Sequence, residues 1–211
     1  MDYQVLETDV LILGSGGAGL FAALHAKQAN PDLDVTIAIK GLLGKCGCTR
    51  MVQGGYNVAL SPGDSVERHF MDTIVGGKWL PDQEMAMRLC QTAVTRVQEL
   101  ENELGCFFDR NDDGSLHHKA FAGQTFDRTV HKGDLTGIEI ISRLMEQVWA
   151  RGVNRLEEHR AIELIPQRLT QSVLDLGQAL QSRGEDDPGM GAIQAVAQGL
   201  EPLRPGFQAH A

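Results

Sequence analysis

Residues Val10–Leu13 form an unbroken apolar run that breaks into Gly14–Gly19 (GSGGAG) and then into the small-residue stretch Leu20–Lys27. Continuous hydrophobicity of this kind predicts a parallel strand buried on both faces, and the stretch after the glycines can continue as a helix. Pro31–Asp34 makes a connection, and Val35–Ile39 (VTIAI) predicts the next strand. The chain therefore opens as a βαβ unit. Asp82–Leu104 is amphipathic: Met85, Leu89, Ala93, Val97, Leu100 and Leu104 recur at three- and four-residue steps, while Glu84, Arg88, Arg96 and Glu99 can stay wet. That stripe is read as core, with Asp82 as N-cap and Gly105 as the stop. Asp134–Arg151 predicts another helix, with Ile138, Ile141, Leu144, Met145 and Val148 as its apolar stripe and Gly152 as its end. Arg168–Arg183 offers a further amphipathic helix (Leu169, Val173, Leu176, Leu180), and Gly184–Ala211 has the composition of disorder or loose helix.

Candidate chemistry begins at the glycines. Gly14, Gly16 and Gly19 fill the positions of G-x-G-x-x-G between a predicted strand and a predicted helix. In such a turn the first glycine permits a tight bend and the second lets backbone approach a pyrophosphate. The third lets helix and strand pack closely. The phosphates then lie over the positive end of the helix; the alternative is a glycine-rich turn that binds nothing. Ser15, Gly17 and Ala18 complete this candidate cofactor turn. A nicotinamide-binding fold would place Asp or Glu at the end of the second strand, where this chain has Ile39, Lys40 and Gly41. That disfavours a nicotinamide-dependent enzyme and leaves a flavin open. Gly41–Leu60 is too glycine-rich for a helix and too long for a turn. It suits a loop that runs along an extended cofactor and offers it backbone N–H groups.

Composition narrows the classes. The 211 residues carry a net charge of −9 with no basic cluster, which argues against nucleic acid and anionic membrane surfaces. An apolar run of about 18 residues is missing, so no direct membrane insertion and a cytoplasmic location are expected. The four cysteines suit a reducing compartment. Cys46 and Cys48 are too close for an ordinary disulfide and lack the second ligand pair of a zinc site. Cys90 and Cys106 read as core thiols. The acidic stretch Asp109–Gly114 is read as a solvated turn, the alternative being a calcium loop. His117 and His118, adjacent on a strand, face opposite sides and cannot share a ligand; no metal is expected.

The segment Thr49-Arg50-Met51-Val52-Gln53-Gly54-Gly55 resembles the flavin-contacting loop of the succinate dehydrogenase/fumarate reductase flavoprotein family, which includes L-aspartate oxidase. Gly114–Gln124 (GSLHHKAFAGQ), Arg128 and Asp134-Leu135-Thr136-Gly137 follow in that family's order and spacing. The resemblance covers about residues 5–165, and it implies that Arg155–Ile165 is the strand that opens that family's next sheet.

The resemblance implies an α/β fold: a Rossmann-like FAD-binding domain with a parallel sheet, incomplete, over residues 1–166. An unrelated helical or disordered tail, 167–211, would take the place of the dicarboxylate-capping domain. Gly14, Gly16 and Gly19 would hold the FAD pyrophosphate, Lys40 would lie near the adenosine side, and Ile39 and Gly41 would also bind the cofactor. Thr49, Gln53, Gly54 and Gly55 would face the flavin ring. Phe121 would wall the dicarboxylate and Gln124 would contact it, the alternative for Phe121 being ordinary core. Family members that carry the flavin covalently have Arg, Ser or Thr, and His where this chain has Cys46, Gly47 and Cys48. Non-covalent FAD is therefore implied, with a cysteinyl link through Cys48 as the alternative. The family reaction is hydride transfer between flavin and a dicarboxylate. No catalytic acid can be named here, so the chain is expected to be inactive alone and to associate through uncovered apolar surface. The alternative is a non-catalytic remnant or a nucleotide-binding interaction module.

Overall fold

The computed structural model describes residues 4–163. The expected helix Arg168–Arg183 and the tail beyond it lie outside those residues. The elements below belong to the compact unit Met1–Arg160.

Strand β1 (Val10–Leu13) leads through the glycine turn into helix α1 (Gly17–Ala29), and β2 (Val35–Ala38) returns parallel to β1, pairing Val10 with Val35 and Leu13 with Ala38. Strand β6 (Asn154–Leu156) joins the other side of β2, again parallel, so the sheet order is β1-β2-β6. The expected parallel sheet is present. Because β2 is central, Val35, Thr36 and Ile37 are all buried. Strand β1 departs from expectation. Val10 and Ile12 pack on the core, but Leu11 and Leu13 remain 56% and 58% exposed. A four-residue apolar run cannot report whether both faces of its strand are covered. Strand β6 is also shorter than the predicted Arg155–Ile165. Its partner β2 ends at Ala38, and Glu158 turns away with φ of 58°.

Helix α3 (Gln83–Asn102) starts where expected: the Asp82 carboxylate accepts from the Met85 N–H at 2.8 Å, and Gly105 follows its end with φ of 78°. Its inward face is shifted. Ala86, Cys90, Ala93, Val97 and Leu100 are buried, whereas Met85 and Leu89 are 72% and 58% exposed. The cause is helix α2 (Val66–Gly76), which the hydrophobic pattern did not announce. It packs on α3 where Ala86 and Cys90 leave room for close approach. Ser65 caps α2 by accepting from the Arg68 N–H. Helix α4 (Thr136–Ala150) buries Ile140, Ile141, Leu144 and Val148 and leaves Ile138 at its margin.

A small antiparallel sheet, β3-β5-β4, is built from Tyr56–Asn57, Thr129–Val130 and His118–Lys119. Arg128, wholly buried, anchors it. Its guanidinium donates to both Asp64 oxygens at 2.9 Å and to Asp72 at 2.6 Å. Thr125 also donates to Asp72, from its backbone N–H and its hydroxyl. Burial pushes the Asp72 carboxyl up, but the Thr125 and Arg128 donors outweigh it and hold the carboxyl below its ordinary value. Among the described residues, no helix is long and apolar enough to cross a membrane.

Two expectations follow. Arg128→Ala strands the fully buried Asp64 carboxylate, a change that typically costs about 3–5 kcal/mol; a urea midpoint equal to wild type would refute the anchoring role. Burial lowers the pKa of His69, His118 and His131 below the ordinary 6.5, helped by the charges of Arg128, His117 and Lys119 respectively. Below pH 6.5 the unfolded chain therefore binds protons that the folded chain resists. Stability should be complete above that pH and decline as pH falls through the lowered values. Calorimetry showing a melting temperature that rises between pH 7 and pH 5.5 would contradict this.

Candidate functional site

The glycine turn has the geometry its spacing predicts. Gly14 takes φ of 100° while its N–H donates to the Ala38 carbonyl at 2.9 Å. A side chain at Gly19 would collide with the Gly14 carbonyl, so helix and strand touch there without a Cβ between them. Gly16 differs: its backbone is ordinary (φ −72°, ψ 179°), and a Cβ would find only the Thr49 hydroxyl, 3.9 Å away. The space beside it is otherwise open.

Gly16 is the N-cap of α1 and supplies no side-chain cap, and the first turn, which includes Ala18, carries no acidic residue. The positive helix end is thus uncompensated. Ser15 lies beside it, 3% exposed, with a buried hydroxyl that finds no partner. An open cradle, a helix end with no acidic residue in its first turn and an orphaned hydroxyl fit a diphosphate.

Beyond β2 the expected adenosine side is only partly at the surface. Ile39 is 1% exposed, its N–H donates to Leu156 and its carbonyl accepts from His159. At Ile39, β6 uses the backbone and the core uses the side chain. Lys40 is exposed, and the Gly41 carbonyl accepts from Glu158.

The loop then folds back over the turn. Gly47 (φ 98°) would place a Cβ 3.6 Å from the Gly16 Cα, so the exposed Cys46 and Cys48 flank the cradle. Cys90 and Cys106 are buried, and burial pushes the Cys106 thiol up to about 12. Residues Thr49–Met51 form one 3-10 turn, whose Thr49 hydroxyl accepts from the Gly17 N–H at 3.0 Å. The Arg50 guanidinium donates to the Gly44 carbonyl. Gln53 is exposed.

Gly54 and Gly55 close a cavity of about 210 Å³ together with Val52, Asn57, Phe121 and Thr129. A Cβ on Gly54 would lie 2.9 Å from the Phe121 ring, and one on Gly55 (φ 134°) would lie 2.5 Å from Thr129 and from the Val130 carbonyl. Phe121 is 53% exposed, so it is a wall of this cavity rather than core. Gln124 does not line the cavity but donates to the Thr129 hydroxyl at 3.3 Å, which in turn donates to Asn57 at 2.7 Å. The Gln124 carbonyl oxygen is buried and unpartnered. Sequence reasoning missed Asn57 and Thr129; only the β3-β5 register brings them opposite one another.

His117 and His118 go to different partners, as alternation on a strand requires. His117 Nδ1 is 2.7 Å from His131 Nε2, and His118 Nδ1 is 2.8 Å from the Ser61 hydroxyl. A larger cavity of about 570 Å³ opens beside Gly17 and Thr49, lined in part by Phe21, Tyr56, Leu100 and Ile140.

Fold and site together define a dinucleotide-binding α/β domain with a long glycine loop lying over its diphosphate turn. The description "FAD binding domain" matches residues 9–186, and the chain belongs to that family. Its cofactor is FAD. The chain is 42% identical over 161 residues to a fumarate reductase (CoM/CoB) polypeptide of Methanothermobacter marburgensis, covering 75% of this chain and 29% of that one. With L-aspartate oxidase of Streptomyces coelicolor it shares 35% identity over 194 residues, 91% of this chain and 32% of the relative. A solved quinol fumarate reductase of Escherichia coli superposes with a TM-score of 0.70 at 32% identity, covering 74% of this chain and 26% of that one. The chain thus spans under a third of the length of these proteins. Similarity continues past the expected boundary at Pro166, since the family match runs to residue 186.

The two glycines give separable outcomes. Gly16→Ala should keep the melting temperature and weaken FAD at least about tenfold, a loss of about 1.4 kcal/mol, because the methyl enters the cradle and not the fold. Gly19→Ala should lower the melting temperature itself. Full flavin retention by Gly16→Ala in equilibrium titration would remove FAD from this turn.

Proposed function

We propose that this chain is the FAD-holding part of a flavoenzyme that transfers hydride between its flavin and a small dicarboxylate, as fumarate reductases do. The observation that carries the reading is the small cavity where Gly54 and Gly55 face Phe121 and Thr129. On this reading Gly14, Ser15, Gly16 and Ala18 bind the diphosphate, with Gly17 in the same turn and Gly19 keeping the helix in place. Lys40 and Gly41 lie along the adenosine. Gln53, Gly54 and Gly55 line the flavin ring, and Phe121 excludes water from one side of the substrate. Gln124 and Asn57 fix the direction of the Thr129 hydroxyl from either side. FAD, when bound, supplies the hydride acceptor and donor.

None of the six residues lining that cavity is an acid or base that titrates near neutrality. Proton delivery, worth typically about 10²–10⁴-fold in rate, thus has no donor among them. The chain by itself accordingly does not turn over dicarboxylates; a non-catalytic nucleotide-binding role is the competing reading. Non-covalent attachment and a cytoplasmic location belong to the same proposal, supported by the absence of histidine at Cys48 and by the free cysteines.

The test is a titration of the 211-residue chain with FAD, followed by a fumarate assay with a reduced dye. Flavin should bind, leave completely on denaturation, and support no turnover. Flavin fluorescence that persists on a denaturing gel would establish a covalent link. Fumarate reduction that Gly16→Ala abolishes would overturn the inactivity, and a chain that binds no flavin would leave the interaction-module reading.

A further inference from the structure

Among the described residues, two α-helices begin without a side-chain cap, and one short turn serves both. Helix α1 has Gly16 as its N-cap and α4 has Leu135, and neither supplies a capping side chain. The first N–H groups of a helix lack partners within it and need them from elsewhere. For α1 the Thr49 hydroxyl accepts from Gly17 N–H at 3.0 Å, across 32 residues of sequence. For α4 the Val52 carbonyl accepts from Gly137 N–H at 2.9 Å.

The glycines at these two contacts have the same cause. A Cβ on Gly17 would lie 3.1 Å from the Thr49 hydroxyl, and one on Gly137 would collide with the Thr49 carbonyl and crowd the Val52 backbone. Gly17 fills a variable position of the G-x-G-x-x-G pattern, so the phosphate does not require it. The approach of Thr49 does.

We propose that Thr49 is a positioning residue: its hydroxyl latches the cofactor loop onto the first turn of α1, while Gly137 seats the same loop on α4. The glycine turn and residues 49–52 then form one preset cradle before any cofactor arrives. Its hydroxyl is committed to Gly17 and is not a contact to the flavin ring. The cap that Gly16 cannot provide, because the diphosphate needs that space, comes instead from the loop that the flavin must follow. A preset loop removes part of the ordering cost of binding. The benefit falls on ligands that span both segments. The proposal rests on FAD lying across the turn and the loop.

The test compares Thr49→Val, Thr49→Ser and Gly137→Ala in the full chain, titrated with FAD and separately with ADP, which reaches the turn but not the loop. Thr49→Val and Gly137→Ala should weaken FAD by about three- to tenfold, the scale of one lost hydrogen bond. ADP should stay within about twofold on the same scale. Thr49→Ser keeps the hydroxyl and should match wild type. In the FAD-free protein, amide exchange at Gly17 and at residues 49–52 should quicken in Thr49→Val but not in Thr49→Ser. Equal losses of ADP and FAD would make Thr49 a direct phosphate ligand and overturn the latch. So would a Thr49→Ser variant as weak as Thr49→Val, or unchanged exchange in Thr49→Val. A wild-type chain that binds no FAD would defeat the cofactor reading alone, because the exchange comparison still decides the latch without ligand.

Discussion

Everything at the candidate site depends on how closely α1 approaches the end of β1. Gly19 meets the Gly14 carbonyl with no room for a Cβ, and that contact sets the direction in which the first N–H groups of α1 point. A helix held further out would still be a helix, but its positive end would not overlie the turn. The energy of a helix terminus toward an anion falls off within one turn, so a displacement of a side chain's width removes most of it. The missing cap at Gly16 and the orphaned Ser15 hydroxyl are consequences of the same placement.

The second half of the site depends on a different interaction far from the turn. Arg128 pairs with both Asp64 and Asp72 in the interior, and its carbonyl accepts from Val58 N–H, so the charge cluster fixes β5 beside β3. That pairing sets Thr129 opposite Asn57 and presses Gly55 against β5. A buried ion pair contributes little net stability compared with apolar packing, but losing one partner is costly. Its effect here is geometric: it holds a two-residue strand that backbone pairing alone would hold poorly.

Between these halves runs the loop Gly41–Gly55, with little regular structure of its own. Its rigidity is borrowed from α1 and α4, whose N-termini it satisfies in return. The family match over residues 9–186 spans the turn, the loop and the small sheet.

The sequence alone determined what local chemistry can encode. The G-x-G-x-x-G turn, the strands β1 and β2, the Asp82 cap and the Gly105 and Gly152 stops were all legible, because each depends on residues within one turn of each other. The order of motifs from Thr49 to Gly137 was legible for the same reason. Tertiary structure decided which faces were covered. Leu11 and Leu13 look like core yet lie open, and Met85 and Leu89 yield the inward face of α3 to Ala86 and Cys90. Ile39 pairs through its backbone with β6 and with His159, neither of which is close in sequence. Asn57, Thr129 and the acceptors of Arg128 carry no local signature, since their roles arise only when strands and helices distant in sequence meet. A periodic pattern states that a face is apolar. Only the packed neighbours determine whether that face is buried, and against what.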